Sequence, residues 1–213
     1  MSSRDELLAH LGDLDLGRPV RVGIDGYCGA GKTTLARWLV AELGRAGRPA
    51  LHVDSDGFHH VRERRYRQGR DSARGYYDDA YDLEALAERV LRPLGPGGDR
   101  TIATAVHDLA TDEVLTGRTV VVPEDAVVVF AATFVQRGAL RDLWDEVVWV
   151  DTDEPTATAR GIARDAEALG GPEAAAAAYD ARYQAACRTY VAEEHPRERA
   201  SIILDPEPDP SGT

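Results

Sequence analysis

The strongest chemical signal in the chain is Gly26-Tyr-Cys-Gly-Ala-Gly-Lys-Thr33, in which Gly26, Gly31, Lys32 and Thr33 stand at fixed spacing. An apolar run, Val20 to Asp25, leads into it, and a helix-forming stretch, Thr34 to Gly44, leads out. Glycines at these positions let the backbone curl until successive N–H groups point at phosphate oxygens, and the helix that follows adds its positive dipole end. Gly26, Gly29, Gly31, Lys32, Thr33 and Thr34 are therefore the expected nucleotide-binding residues. Lys32 suits the β- and γ-phosphates of a nucleotide, and the Thr33 hydroxyl suits Mg²⁺. The competing reading is a glycine-rich strand-to-helix turn that binds nothing. Lysine and arginine together number 25, yet Lys32 is the only lysine, and the one place it occurs is the place this chemistry needs it.

The nucleotide can be narrowed. A guanine-reading element requires an Asn/Thr-Lys-x-Asp sequence. The chain has no Asn, and its one lysine is already placed, so ATP is favoured over GTP.

Other residues with chemistry to offer fall at predicted strand ends. Asp54 and Asp56 follow a buried run, Ala50 to Val53; Asp25 and Asp151 also close apolar strands. A carboxylate at position 56 can orient and deprotonate a hydroxyl in line with a γ-phosphate. Asp54 is the second choice for that role, and both residues could simply cap the turn. Arg160 and Arg164 are four apart, on one face of a predicted helix, and suit charge spread over phosphate oxygens. The alternative is a solvated face paired to Asp165 or Glu167. Residues 62–74 hold six arginines, readable as an anion-attracting flap or as a solvated helix. His59-His60 lacks the further nitrogen or sulfur ligands that a structural zinc needs.

These residues need a scaffold. A capping box, Ser3-x-x-Glu6, opens a predicted helix over 3–14. Apolar strands are predicted at 20–25, 50–53, 126–130, 147–150 and 202–204, with two more, 101–106 and 119–122, flanking a turn. Helices are predicted at 34–44, 83–91, 155–169 and 172–194, the last through an alanine run. Apolar strands alternating with helices imply a parallel sheet covered on both faces, with ligands at the carboxyl ends of its strands. The expected fold is α/β of the P-loop NTPase type, with about five parallel strands, helices on both faces, and a small β-hairpin and lid region over the acceptor site. We expect one domain over 1–205, a hairpin insert at about 99–122, lid and C-terminal helices at about 155–190, and a disordered tail at 206–213.

The formal net charge is −12 over 213 residues. That opposes a protein built to grip nucleic acid, which needs a broad basic footprint. No apolar run reaches 18 residues, so no membrane partner is expected. Two cysteines and a polar N-terminus point to a reducing cytoplasm. A homo-oligomer is compatible with the composition.

Beyond the loop, the ordered set HVDSDGFHH (52–60), RQGRDSARGYYDDAYDLEAL (67–86), VHDLATD (106–112) and the C-terminal ARYQAACRTYVAEEHPRERASIILD (181–205) resembles the uridine kinase and phosphoribulokinase-like P-loop kinases. The resemblance implies ATP- and Mg²⁺-dependent phosphate transfer to a hydroxyl of a nucleoside (uridine- or cytidine-like) or related small molecule. It implies Asp56 as base and Mg²⁺ contact beside Thr33, and Lys32, Arg160 and Arg164 around the transferred phosphate. It puts Asp56, Tyr77, Asp79, His107 and Asp108 around the acceptor, although the family's ribose-binding Asp falls on Tyr76, and Asp108 could instead close a hairpin turn. The largest departure follows Val127 to Phe130. The family has an acidic residue there, whereas this chain has Ala131-Ala132. Three readings result: an active kinase with metal held by Thr33, the ATP phosphates and Asp56 or Asp54; a nucleotide-binding pseudo-kinase or regulator; or a kinase redirected to an unusual metabolite.

Overall fold

The computed structural model describes residues 2–205. The expected 206–213 tail lies outside the described residues. Helix α1 (Arg4–Asp13) starts at Ser3 with both halves of the capping box made. Five strands form one parallel sheet: β1 (Val20–Asp25), β2 (Ala50–Val53), β5 (Val127–Ala131), β6 (Glu146–Val150) and β7 (Ile202–Leu204), in the order β2-β5-β1-β6-β7. All four pairings are parallel, as the sequence pattern requires.

Strand β5 explains why the sheet is covered twice. Its five residues are all buried. Val127, Val129 and Ala131 face α1 and α2 (Lys32–Arg45), whose Leu7, Leu35, Leu39 and Leu43 share their cluster. Val128 and Phe130 face the other way, against Phe58, Leu86, Val90 and Leu94. Burying a large aliphatic or aromatic side chain contributes about 1.5–3 kcal/mol, so neither face can be left open.

The strands β3 (Thr101–Ala103) and β4 (Thr119–Val121) pair antiparallel as a separate two-stranded sheet, each shorter than the sequence suggests. Short helices α3 (Arg62–Arg65) and α4 (Ala73–Asp79) occupy the arginine-rich region, so it is not one solvated helix, and its Arg65 is buried. Helix α5 (Leu83–Leu86) continues into a π-helical turn over Ala87–Leu91. After β6 come α6 (Glu154–Asp165), α7 (Pro172–Ala178), a π-helical turn over Tyr179–Gln184, α8 (Ala185–Glu194) and α9 (Pro196–Arg199). The helix expected over 172–194 is present over its whole length, with a wider π-helical turn in its middle. No helix among the described residues is long and apolar enough to cross a membrane.

The start of the sheet is tied by charge. Asp145, just before β6, accepts from Arg18 at 2.6 and 2.8 Å and from the Arg21 guanidinium at 2.8 and 3.0 Å. The Arg21 backbone N–H adds a fifth bond at 2.9 Å. Partial burial opposes ionisation, but these donors outweigh it and hold the carboxyl well below the usual carboxylate range. A depressed acid stabilises the fold above its unfolded pKa, near 3.9, and loses that contribution as pH falls toward its folded value. Asp145→Asn should lower unfolding free energy by about 3 kcal/mol at pH 7, with the gap to wild type narrowing below about pH 4. Urea melts from pH 7 to 3 check this; a gap independent of pH would show that the carboxylate charge is not the source.

Candidate active site

Strand β1 delivers its last residue, Asp25, into a fully buried position. Asp25 accepts from the Gly26 N–H at 2.9 Å, the Tyr190 hydroxyl at 2.5 Å and the Gln136 amide at 3.1 Å. Burial raises its pKa, and the three donors work against that rise. The phosphate loop therefore begins from a fixed point.

Four of the loop's carbonyls are claimed by side chains. The Lys32 ammonium donates to Gly26 O at 2.9 Å and Tyr27 O at 2.7 Å. The Gln184 amide donates to Cys28 O at 2.9 Å, and the Thr152 hydroxyl to Ala30 O at 3.0 Å. Gly29 and Gly31 have positive φ, +88° and +97°. A Cβ on Gly29 would lie 2.0 Å from the Ala157 carbonyl, so only glycine lets α6 rest on the loop. With carbonyls directed into the protein, the loop can turn N–H groups toward an anion.

A cavity of about 640 Å³ opens beside the loop. Its wall includes Gly29, Lys32, Thr33 and Thr34 from the loop and α2, Asp54 and Asp56 after β2, Ala131 to Thr133 after β5, and Arg164 on α6. The volume suits a small-molecule site. Asp54 is engaged as a cap, accepting from the Asp56 N–H at 3.0 Å. Cavity walls and the neighbouring Asp54 raise the Asp56 pKa, while Arg164 opposes the rise. Arg164 is held by Asp165 at 2.8 Å and by the Tyr179 hydroxyl at 3.1 Å. Ala131 pairs with Ile24 in the sheet and, like Thr33, belongs to the cavity lining. No group of three or more His, Cys, Asp or Glu capable of holding a metal exists among the described residues.

Several expected acceptor residues are not on this wall. Tyr76 and Tyr77 are adjacent on α4 and about 100° apart around it, so one position faces the cavity. That position is Tyr76; Tyr77 is buried against Phe134 and Tyr190, with Arg137 over its ring at 4.2 Å. Asp79 is buried and bound by Arg67 at 2.6 Å and Gln68 at 2.7 Å. His107 is buried 3.1 Å from Asp112. Asp108 accepts from the Ala110 and Thr111 N–H groups, the turn-closing role. Arg160 sits on α6 outside the cavity wall, leaving Arg164 as that helix's cation there.

The wall holds residues the motifs do not flag: His59, Arg65, Tyr66, Tyr81, Arg182 and Tyr183. Burial keeps His59 neutral, its pKa pushed down to about 4. Cys28 also lines the cavity and accepts from the Cys187 thiol at 3.6 Å, with Thr133 Oγ1 at 3.5 Å; that bond, against the cost of burial, lowers Cys28 to about 6. Phe134 has φ +76°, unusual for a bulky residue, in the turn that leads from Thr133 to Gln136.

If Asp25 is what fixes the loop, Tyr190→Phe should cost about 1–3 kcal/mol in unfolding free energy and weaken ATP binding. In a double-mutant cycle with Asp25→Asn the losses should be strongly non-additive. Additive losses by urea melts and calorimetry would uncouple the pair.

The comparisons with known proteins agree with this geometry. The model of the phosphoribulokinase / uridine kinase family matches residues 21–205. Among similar curated proteins, the uridine kinase of Latilactobacillus sakei is 27% identical over 154 residues, 71% of this chain and 69% of that protein. The uridine kinase of Alkaliphilus metalliredigens is 27% identical over 157 residues, 73% and 72%. Among solved structures, a possible uridine kinase from Bacillus stearothermophilus superposes with a TM-score of 0.73 over 95% of this chain and 97% of its own, at 24% identity. A putative fructose transport system kinase from Silicibacter gives 0.66 over 92% and 98%, at 22% identity. The fold is that of the P-loop kinases, and the chain belongs to the phosphoribulokinase / uridine kinase family of ATP-dependent kinases.

Proposed function

We propose that this kinase transfers the γ-phosphoryl group of ATP to a hydroxyl of a nucleoside or nucleoside-like small molecule in the cytoplasm. The carrying observation is that one cavity is lined by Lys32, Thr33 and Asp56 together. Curated relatives named uridine kinase support the acceptor class. We read residues 1–205 as one domain in which the hairpin region, through Leu109, and the helices after β6 close around the acceptor.

In this reading the loop N–H groups, Lys32 and Arg164 bind the triphosphate and hold its transferring charge. Asp56 orients the acceptor hydroxyl and takes its proton, and a raised pKa brings it nearer to a useful base. The donor set fits a hard cation: the Thr33 hydroxyl and the Asp54 and Asp56 carboxylates are oxygen ligands on one wall. Bound Mg²⁺ would offset phosphate charge there. Lys32→Ala should abolish ATP binding. Asp56→Asn should retain ATP binding but reduce turnover by about 10²-fold or more. Calorimetry and a coupled ATP-consumption assay over a nucleoside panel test both. Activity surviving in Asp56→Asn but lost in Asp54→Asn would move the base to Asp54.

Ala131 supplies no metal ligand, so the site should demand more Mg²⁺ than one with a carboxylate. Ala131→Asp with Ala132→Gly should lower the Mg²⁺ needed for half-maximal turnover. Superimposable titrations would show that the other oxygens already suffice.

A further inference from the structure

The part of the cavity beyond Asp56 carries charge that ATP does not account for. The wall as a whole has five cations, Lys32, Arg37, Arg65, Arg164 and Arg182, against three carboxylates, Asp54, Asp56 and Asp165, in a chain of net charge −12. Lys32 and Arg164 serve the phosphate loop. Arg65 and Arg182 lie elsewhere, both over the Tyr66 ring, at 5.5 and 5.2 Å from its centroid.

Neither guanidinium has all its donors filled, although Arg182 is hydrogen-bonded to Tyr66 and lies over the rings of Tyr66, Tyr76 and Tyr183. Arg65 is 8% exposed, its Nη2 is 3.2 Å from Asp112, and its buried Nε has no hydrogen-bond acceptor. Arg182 forms no ion pair among the described residues, and its buried Nε is likewise unsatisfied. Each guanidinium has five N–H donors in a fixed fork. A desolvated cation with unused donors is costly unless an anion completes it.

The aromatic residues here do not read as a base-stacking platform. Arg65, Arg70 and Arg182 already crowd the Tyr66 ring. The Tyr76 ring meets Arg182 at 5.2 Å and the rings of Phe134 and Tyr183 nearly edge-on. What these rings do is hold guanidinium planes in place. The nearby His59 is kept neutral by burial, so the positive charge there comes from the two arginines.

We propose that the phosphate acceptor carries an oxyanion, a carboxylate or a phosphate ester, seated on Arg65 and Arg182. This rests on the kinase reading for the location of the acceptor and, among the nucleoside-like molecules of that reading, selects those that carry an anionic group over a neutral nucleoside. The hydroxyl would lie at Asp56 and the anionic group at the arginine pair, the two ends fixing the molecule across the cavity. Planar guanidinium forks match both kinds of oxyanion, and such charge-assisted bonds are the strong ones.

Two experiments test it. In the first, Lys32→Ala protein, whose phosphate loop is disabled, is titrated by calorimetry with inorganic phosphate and separately with acetate; wild type loaded with a non-hydrolysable ATP analogue is titrated in parallel. Saturable binding of at least one anion is expected. Adding Arg182→Met should weaken it at least tenfold, and Arg182→Lys, which keeps a charge, should restore part of it. Phosphate binding without acetate binding assigns a phosphate ester, and the converse a carboxylate. No anion binding in either background, or binding indifferent to Arg182→Met, overturns the proposal whether or not the protein turns over ATP. In the second, ATP consumption is compared for matched pairs, ribose 5-phosphate with ribose and glycerate with glycerol, and for uridine. The charged member of a pair should have a kcat/KM at least tenfold higher, with Arg65→Met and Arg182→Met raising its KM about 10- to 100-fold and leaving kcat nearly unchanged. Uridine as best acceptor, with a KM unmoved by Arg182→Met, overturns it. Loss of ATP binding in all forms, with anion binding retained, would instead sink the kinase reading alone.

Discussion

A backbone that presents N–H groups to a phosphate must dispose of its carbonyls, and this requirement organises the structure. Four carbonyls of the loop are taken by three side chains from three places: Lys32 at the start of α2, Thr152 after β6 and Gln184 in the π-helical turn. A fourth group, Asp25, receives the loop's first N–H. Unpaired buried backbone groups cost about 1–3 kcal/mol each, so the loop's shape is only stable with all these elements in place. Helix α6 closes the arrangement by resting its Ala157 carbonyl against Gly29, and the Tyr179 ring in turn packs where Gly161 has no side chain. The nucleotide site is thus assembled from residues 122 and 156 positions beyond their loop partners as much as from the loop itself.

That dependence separates what the sequence discloses from what it conceals. Strand β5 was legible because five buried apolar residues admit few alternatives, and the loop was legible because its spacing follows from phosphate geometry. The sheet's parallel order followed from alternating strands and helices. Gln184 was not legible: one amide in an alanine-rich helix looks like a surface residue. Its role arises from the π-helical turn over Tyr179–Gln184, which widens the helix and sends Arg182 and Tyr183 to the cavity and Gln184 to the loop. A turn of that kind is stable only when tertiary contacts repay it, and local propensity carries no trace of them. Tyr77 was misplaced for a related reason. A motif match fixes position along the chain, whereas a helix's rotation about its axis is settled by packing against Phe134.

Electrostatically the molecule is two-faced. An acidic exterior surrounds a cavity in which arginines outnumber carboxylates. The surplus can exist because neighbouring rings clamp the guanidiniums and because Asp112 and Asp165 each steady one of them. Asp145 shows the contrasting use of the same chemistry: there one carboxylate takes two arginines, fills its own acceptors and simply pins the start of β6. Position 131 fits this picture as well. A small apolar residue at the end of β5 continues the packing of Ile24 and leaves the phosphate end less negative than a carboxylate would.

The solitary Lys32 has a practical corollary for chemistry performed on this protein. Side-chain amine reagents such as activated esters and aldehydes ordinarily scatter over many surface lysines. Here the one side-chain target is 9% exposed and held by Gly26 and Tyr27 carbonyls inside the nucleotide cavity. Acylation of that amine would be slow, would remove its charge, and would be blocked by whatever occupies the loop. A reagent that is indiscriminate elsewhere becomes, for this chain, a footprint of nucleotide occupancy: once the label on the α-amine is set aside by peptide mapping, the label on Lys32 counts the molecules whose loop stood open.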